Sequence, residues 1–159
     1  MIEILKLLED DSTLTNAQIA TMLDQSEDAV TAAIADYEEQ GVILGYKAKV
    51  DWEKTERETV TALIDVKVTP QRNEGFNRIA ERIYQYDEVE SLYLMSGSYD
   101  FSILITGRTF KDVALFVAEK LAPLESITST ATHFLLRKYK ENNVVFPQPD
   151  EGQERVSVL

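Results

Sequence analysis

Few side chains in this sequence can do chemistry, and their types narrow the choices at once. No cysteine occurs among the 159 residues and His133 is the single histidine. Disulfides, thiolate metal sites, iron–sulfur clusters and cysteine nucleophiles are thereby excluded, and little is left for acid–base catalysis. Three groups remain. Ser96 followed by Gly97-Ser98-Tyr99-Asp100 reads as a turn whose backbone donors suit a carboxylate while Asp100 suits an ammonium group. The same residues also fit a tight connection in which Asp100 caps its own backbone. Thr128, Thr130 and Thr132 alternate along one apolar segment and offer a row of hydroxyls, although β-propensity alone can produce such a run. Lys47 and Lys49 fall on one side of a short segment, either to lie along a polyanion or to keep an edge strand soluble. His133 sits in the threonine segment and reads as a packed or surface residue. Asp10-Asp11 and Glu38-Glu39 read as solvated helix ends, so no metal and no cofactor is expected.

The elements that must hold these groups fall into two blocks. Up to residue 41 the periodicity is helical. Ile4, Leu5 and Leu8 stripe a first helix. Thr15 with Gln18 opens a second through a capping box, and Ile19, Ala20 and Leu23 form its apolar face. Ser26 is a good N-cap for a third, in which Val30, Ala33, Ile34 and Tyr37 follow helical spacing and Gly41 stops the helix. Asp28, Thr31, Ala32 and Ala35 then face outward. Residues 42–50 alternate around Gly45 and read as a small hairpin carrying Lys47 and Lys49. Three helices and a hairpin form the winged helix-turn-helix order over residues 1–50, and residues 51–58 read as a connector in which Trp52 packs onto something.

From residue 59 the period becomes two. Val60, Ala62, Ile64, Val66 and Val68 line one face of a strand that Pro70 ends, and Phe76, Ile79, Ala80, Ile83 and Tyr84 mark a helix. A strand over 89–95, a turn over 97–100 and a strand through Phe101, Ile103 and Ile105 follow. Thr109 and Asp112 open a further helix running to Leu121 and closed by Pro123, and a long strand spans 127–139. Strand-helix-strand twice over is the ferredoxin-like βαββαβ order, so the fold class is α+β. Its two helices cover one sheet face. The other carries Leu63 and Leu104, with either Thr130, Thr132 and Phe134 or their alternating neighbours, and a second copy of the chain is expected to bury it. Residues 141–159 read as a C-terminal extension, in which the polar stretch Pro147–Leu159 has no pattern and little order of its own.

Composition adds exclusions. Sixteen basic against 28 acidic residues give a net charge of −12. Residues 1–53 hold only Lys6, Lys47 and Lys49 against twelve carboxylates, so most of the excess is on the first block. No apolar run is long enough to cross a bilayer, and the opening residues are acidic where a signal peptide needs bases. A cytoplasmic protein away from membranes is expected.

The run Glu38-Glu39-Gln40-Gly41-Val42-Ile43-Leu44-Gly45-Tyr46-Lys47-Ala48-Lys49-Val50-Asp51, followed by a βαββαβ domain with Gly97-Ser98-Tyr99-Asp100 at its centre, resembles the Lrp/AsnC family of transcription regulators. The resemblance covers roughly residues 1–140. It implies a DNA-binding domain at 1–50, where Ser26, Asp28, Thr31, Ala32, Ala35, Lys47 and Lys49 meet DNA. It further implies an effector-binding and oligomerisation domain at 59–140, with Gly97 and Asp100 on the effector-loop motif; Ser96, Ser98 and Tyr99 of the same turn and the strand hydroxyls of Thr130 and Thr132 are expected to join them around a small molecule such as an amino acid. A homodimer assembling to an octamer is implied as well. Departing from the family pattern, the third helix has no basic residue, and Glu27 and Asp28 occupy its first turn. An effector-sensing or scaffolding homologue with weak or no direct DNA binding is therefore the alternative. Haem-pathway decarboxylases share a similar two-domain plan but need histidine and arginine around a tetrapyrrole; a single histidine points to a non-enzymatic protein.

Overall fold

The computed structural model describes residues 2–69 and 75–147, and the chain divides into two compact units, Met1–Val50 and Asp51–Leu159. In the first unit, α1 (Ile2–Asp10), α2 (Asn16–Leu23) and α3 (Glu27–Glu39) enclose a small core of Ile4, Ile19, Ala20, Val30 and Ala33. Leu7 and Leu8, rather than Leu5, complete the contribution of α1. Local chemistry sets the boundaries. The Thr15 hydroxyl accepts the Gln18 N–H at 3.2 Å while the Gln18 side-chain oxygen accepts the Thr15 N–H at 2.8 Å. Ser26 Oγ accepts the Ala29 N–H at 3.2 Å. Between them Asp24 ends α2 with φ 53° and ψ 48°, a left-handed conformation that an L-residue adopts only at a cost.

Residues 42–50 do not form the expected hairpin: they run without strand pairing, and Leu44 is 93% exposed. Alternation supplies a strand-like pattern but no partner, and an isolated two-stranded ribbon is marginal in water. Gly41 does stop α3, at φ 68°, in the left-handed region.

In the second unit, β1 (Val60–Val68), α4 (Phe76–Tyr84), β2 (Val89–Leu94), β3 (Phe101–Gly107), α5 (Phe110–Phe116) and β4 (Ile127–Phe134) build an antiparallel sheet of order β2-β3-β1-β4. This is the ferredoxin-like arrangement. The period-two row Ala62, Ile64, Val66 and Val68 meets Phe101, Ile103 and Ile105 of β3, and Ile79, Ile83, Val113, Phe116 and Leu121 cover them. Each of the buried Val, Ile, Leu and Phe side chains stabilises the unit by about 1.5–3 kcal/mol on leaving water. Pro70, read as the terminator of β1, lies outside the described residues.

Several boundaries differ from the periodicity. The helix opened by the Thr109–Asp112 capping box turns π-helical over Val117–Leu121. Tyr84 points outward, and Tyr86 takes the place in the core, edge-on to Phe116 at 5.7 Å. The last strand ends at Phe134, not residue 139, because β1 begins at Val60 and the ladder has no further partner beyond Leu135 N–H to Thr61 O. The chain then forms a separate hairpin, β5 (Lys140–Glu141) with β6 (Val144–Val145), turned by Asn142 and Asn143 at φ 43° and 66°. Residues 148–159 lie outside the described residues. Trp52 heads a short 3-10 turn, Trp52–Lys54; it is 45% exposed, and the Arg57 guanidinium covers its ring at 4.6 Å.

Candidate functional site

The first candidate surface is the outer side of α3. Val30 and Ala33 point into the core, so Asp28, Thr31, Ala32 and Ala35, along with Ser26 at the cap, are all exposed on the opposite side. The helix is held against α2 by a side-chain bond that no spacing in the sequence signals: Asn16 Nδ2 donates to Thr31 Oγ1 at 2.9 Å across fifteen residues. That bond occupies one acceptor site of Thr31 and leaves its hydroxyl proton available for a partner. Small side chains at Ala32 and Ala35 leave the helix slim enough to enter a groove about 12 Å wide. Glu27 and Asp28 stand in its first turn, where they stabilise the helix dipole and oppose a docking anion.

Lys47 and Lys49 are exposed, but on an unpaired segment instead of a hairpin. The segment starts with Val42 and Ile43 N–H donating to Tyr37 O, at 2.8 and 3.1 Å, and just before Lys47 the Tyr46 hydroxyl donates to Glu38 Oε1 at 2.9 Å. Partial burial and then this neighbouring carboxylate push the Tyr46 phenol above its ordinary value, so it remains a donor at neutral pH. Glu38, read from sequence as a solvated helix end, is thus an anchor of the lysine-bearing segment.

The second candidate surface is the turn between β2 and β3. Met95 N–H donates to Asp100 O and Asp100 N–H to Val66 O, at 2.8 and 2.9 Å, so the turn is closed onto both neighbouring strands. The Asp100 carboxylate does not cap its own backbone; Oδ2 accepts the Val68 N–H at 2.8 Å, next to the register shift at Lys67/Val68 of the β1–β4 ladder. Its second oxygen meets no hydrogen-bond partner among the described residues. Ser96, Gly97 and Ser98 are exposed and Tyr99 is half-buried.

Thr130 and Thr132 do not join the open sheet face. They pair with Val66 and Ile64, which places them in the helix-covered layer at its outer edge. The alternating neighbours take the open face: Ala131 and His133 beside Leu63, Asp65 and Leu104. Thr130 still shares a cross-sheet row with Val66 and Phe101, two strands from the turn. Thr128 Oγ1 donates to Lys67 O at 3.1 Å. His133 Nε2 lies 3.3 Å from Asp65 Oδ2, a surface pair. Among the described residues, no three His, Asp or Glu side chains gather to hold a metal ion, and no helix is long and apolar enough to cross a membrane.

Known proteins share both the sequence pattern and this geometry. Residues 61–145 match the model of the Lrp/AsnC ligand binding domain and residues 1–43 that of a winged helix-turn-helix DNA-binding domain. An uncharacterized HTH-type transcriptional regulator of Bacillus subtilis, YugG, is 47% identical over 155 residues, covering 97% of this chain and 93% of that protein. The HTH-type transcriptional regulator LrpA of Pyrococcus horikoshii is 28% identical, covering 86% of this chain and 94% of its own. Among solved structures, an AsnC family transcriptional regulator from Agrobacterium tumefaciens superimposes with a TM-score of 0.70 at 26% identity, covering 92% of each chain. The Neisseria meningitidis regulator NMB0573, solved as an L-Met complex, shares the fold with a TM-score of 0.73 at 20% identity over 92% of this chain and 93% of that one. A winged helix-turn-helix unit followed by the antiparallel β2-β3-β1-β4 sheet, matched along nearly the whole chain, makes this protein a DNA-binding transcriptional regulator of the Lrp/AsnC family.

Proposed function

We propose that the chain is an oligomeric, non-enzymatic regulator in the cytoplasm that reads operator DNA through the outer side of α3 and responds to a small effector such as an amino acid. The observation that carries the DNA reading is the pinned α3: its N-terminus is capped by Ser26, its flank is tied to α2 through Asn16–Thr31, and its exposed side is narrow. Ser26, Asp28, Thr31, Ala32 and Ala35 face the bases, while Lys47 and Lys49 reach the phosphates. Three lysines against twelve carboxylates in residues 1–53 make each subunit a weak polyanion binder. Affinity then comes from several such units on one assembly, which multiplies modest contacts through effective concentration. The open sheet face, with Leu63, Leu104 and the 56%-exposed Tyr93, supports a homodimer, extended to an octamer. Ser96–Asp100 is the effector turn; the L-Met bound to the Neisseria relative supports an amino acid as the class.

Fluorescence anisotropy against the chain's own upstream DNA over a salt series tests this. With four to six lysines per dimer, log K should fall by roughly 4 to 5 per decade of salt, from a slope near −0.9 per neutralised phosphate. Lys47→Ala with Lys49→Ala should weaken all sequences equally. A slope near −8 to −10, or undiminished binding by the double variant, sinks this assignment of the DNA-contacting surface.

A further inference from the structure

Glu38 stands where helix electrostatics disfavour it. It lies in the last turn of α3, followed by Glu39, and no basic residue accompanies them there. Carboxylates at a helix C-terminus oppose the dipole, and beside a DNA-contacting surface they also repel phosphate. A residue that breaks two local rules at once calls for a compensating use.

Its side chain has one. Gly41, at φ 68°, turns the chain, and the Val42 and Ile43 N–H groups close that turn onto Tyr37 O. Residues 44–50 then run without any strand pairing to hold them. Eight residues on from Glu38, the Tyr46 hydroxyl returns to the helix and donates to Glu38 Oε1 at 2.9 Å. The acceptor is a carboxylate, so the bond is of the stronger, charge-assisted kind. Lys47 is the next residue, and Lys49 follows within about 10 Å of chain beyond Tyr46. One side-chain bond therefore limits the reach of both lysines.

We propose that Glu38, although negatively charged, is a positioning residue for DNA: its bond to Tyr46 holds Lys47 and Lys49 beside the end of α3 before DNA arrives and so raises affinity for a polyanion. The inference rests on the reading that these two lysines reach the phosphates. A lysine already held in place loses less freedom on meeting a phosphate. The opposing repulsion comes from a single solvated carboxylate and is damped by salt over about 8 Å. The two effects have opposite signs, which a substitution separates. If Glu38 acted only through its charge, removing it would tighten DNA binding; acting through position, its removal weakens binding.

Fluorescence anisotropy with the full chain and its own upstream DNA at low salt tests the sign. Glu38→Ala should weaken binding about three- to tenfold, the range that ordering one or two side chains covers. Tyr46→Phe, which removes only the hydroxyl, should do the same, and the two together should lose no more than either alone. Glu38→Gln keeps an acceptor without the charge and should recover about half of the loss on a logarithmic scale. Glu39→Ala, the same charge change without the bond, should bind at least as tightly as the parent. With Lys47→Ala and Lys49→Ala already in place, Glu38→Ala should have no further effect. Alanine is a good helix former and relieves the dipole, so helical circular dichroism should match the parent and the loss is not one of folding. Binding by Glu38→Ala as tight as the parent's or tighter, additive losses from Glu38→Ala and Tyr46→Phe, or the same loss without the lysines overturns the proposal. Should the double lysine variant bind undiminished, the assignment of the DNA surface fails and this role with it. If that variant weakens while Glu38→Ala does not, the surface stands and only the role of Glu38 fails.

Discussion

Replacing Asp100 separates its structural work from its work on an effector. Oδ2 accepts the Val68 N–H at 2.8 Å, and Val68 is only 6% exposed, so Asp100→Ala leaves a backbone donor without a partner inside the sheet. A hydrogen bond to a charged acceptor contributes about 1.5–3 kcal/mol, and a stranded buried donor costs about 1–3. The site is half-buried and water can reach part of it, so the expected loss is about 1.5–3 kcal/mol in total, or roughly 6–12 °C at about 4 °C per kcal/mol. Asp100→Asn keeps an oxygen acceptor without the charge and should lose about half as much. The backbone bonds that close the turn, from Met95 N–H to Asp100 O and from Asp100 N–H to Val66 O, survive both changes. Urea melts at fixed protein concentration, followed by far-UV circular dichroism, give the global cost. Hydrogen exchange at the Val68 amide gives the local one, and protection there should fall in the same order, Ala below Asn below parent. Unchanged Val68 protection in Asp100→Ala, or an Asn variant as destabilised as Ala, would refute the carboxylate's role in holding β1.

Ile19→Ala empties the centre of a core with five buried residues and should cost about 2–5 kcal/mol, comparable to the whole stability of a 50-residue unit at about 0.05–0.15 kcal/mol per residue. The helical circular dichroism of the first unit should be lost while amide protection in the sheet persists; full retention of both contradicts the two-core description. The hydrogen bond from Lys120 holds the Glu88 carboxyl below its ordinary value of 4.5. A depressed folded-state value adds stability above 4.5 and loses it as pH falls through the folded value, so Lys120→Met should lose a few tenths of a kcal/mol at pH 7 and progressively less as the pH is taken down below 4.5. A loss that stays the same down the acid series in parallel melts would count against the pair. Asp24→Gly relieves a left-handed φ of 53° and should raise the melting temperature, with a gain of up to about 1 kcal/mol after the glycine's extra unfolded-state entropy is subtracted; a lowered temperature would mean the aspartate side chain is needed there.

Features that rest on neighbours within four residues were legible in the sequence. The caps at Thr15, Ser26 and Thr109, the core stripe Val30–Ala33, and the buried row Ala62, Ile64, Val66 and Val68 all appear where spacing puts them. Those interactions are local, so residue type and period suffice to specify them. The element order likewise carried the βαββαβ topology. Tertiary structure decided what depends on partners far along the chain. Pairing Val66 with Thr130 assigns Thr130 and Thr132 to the helix-covered layer, and a slip of one residue would have exchanged them for Ala131 and His133. Asp100 finds its acceptor role 32 residues away at Val68, and Thr31 is tied to Asn16 through a helix-turn-helix crossing. Residues 42–50 have a strand's alternation yet no pairing, because alternation describes one chain and a ladder needs two.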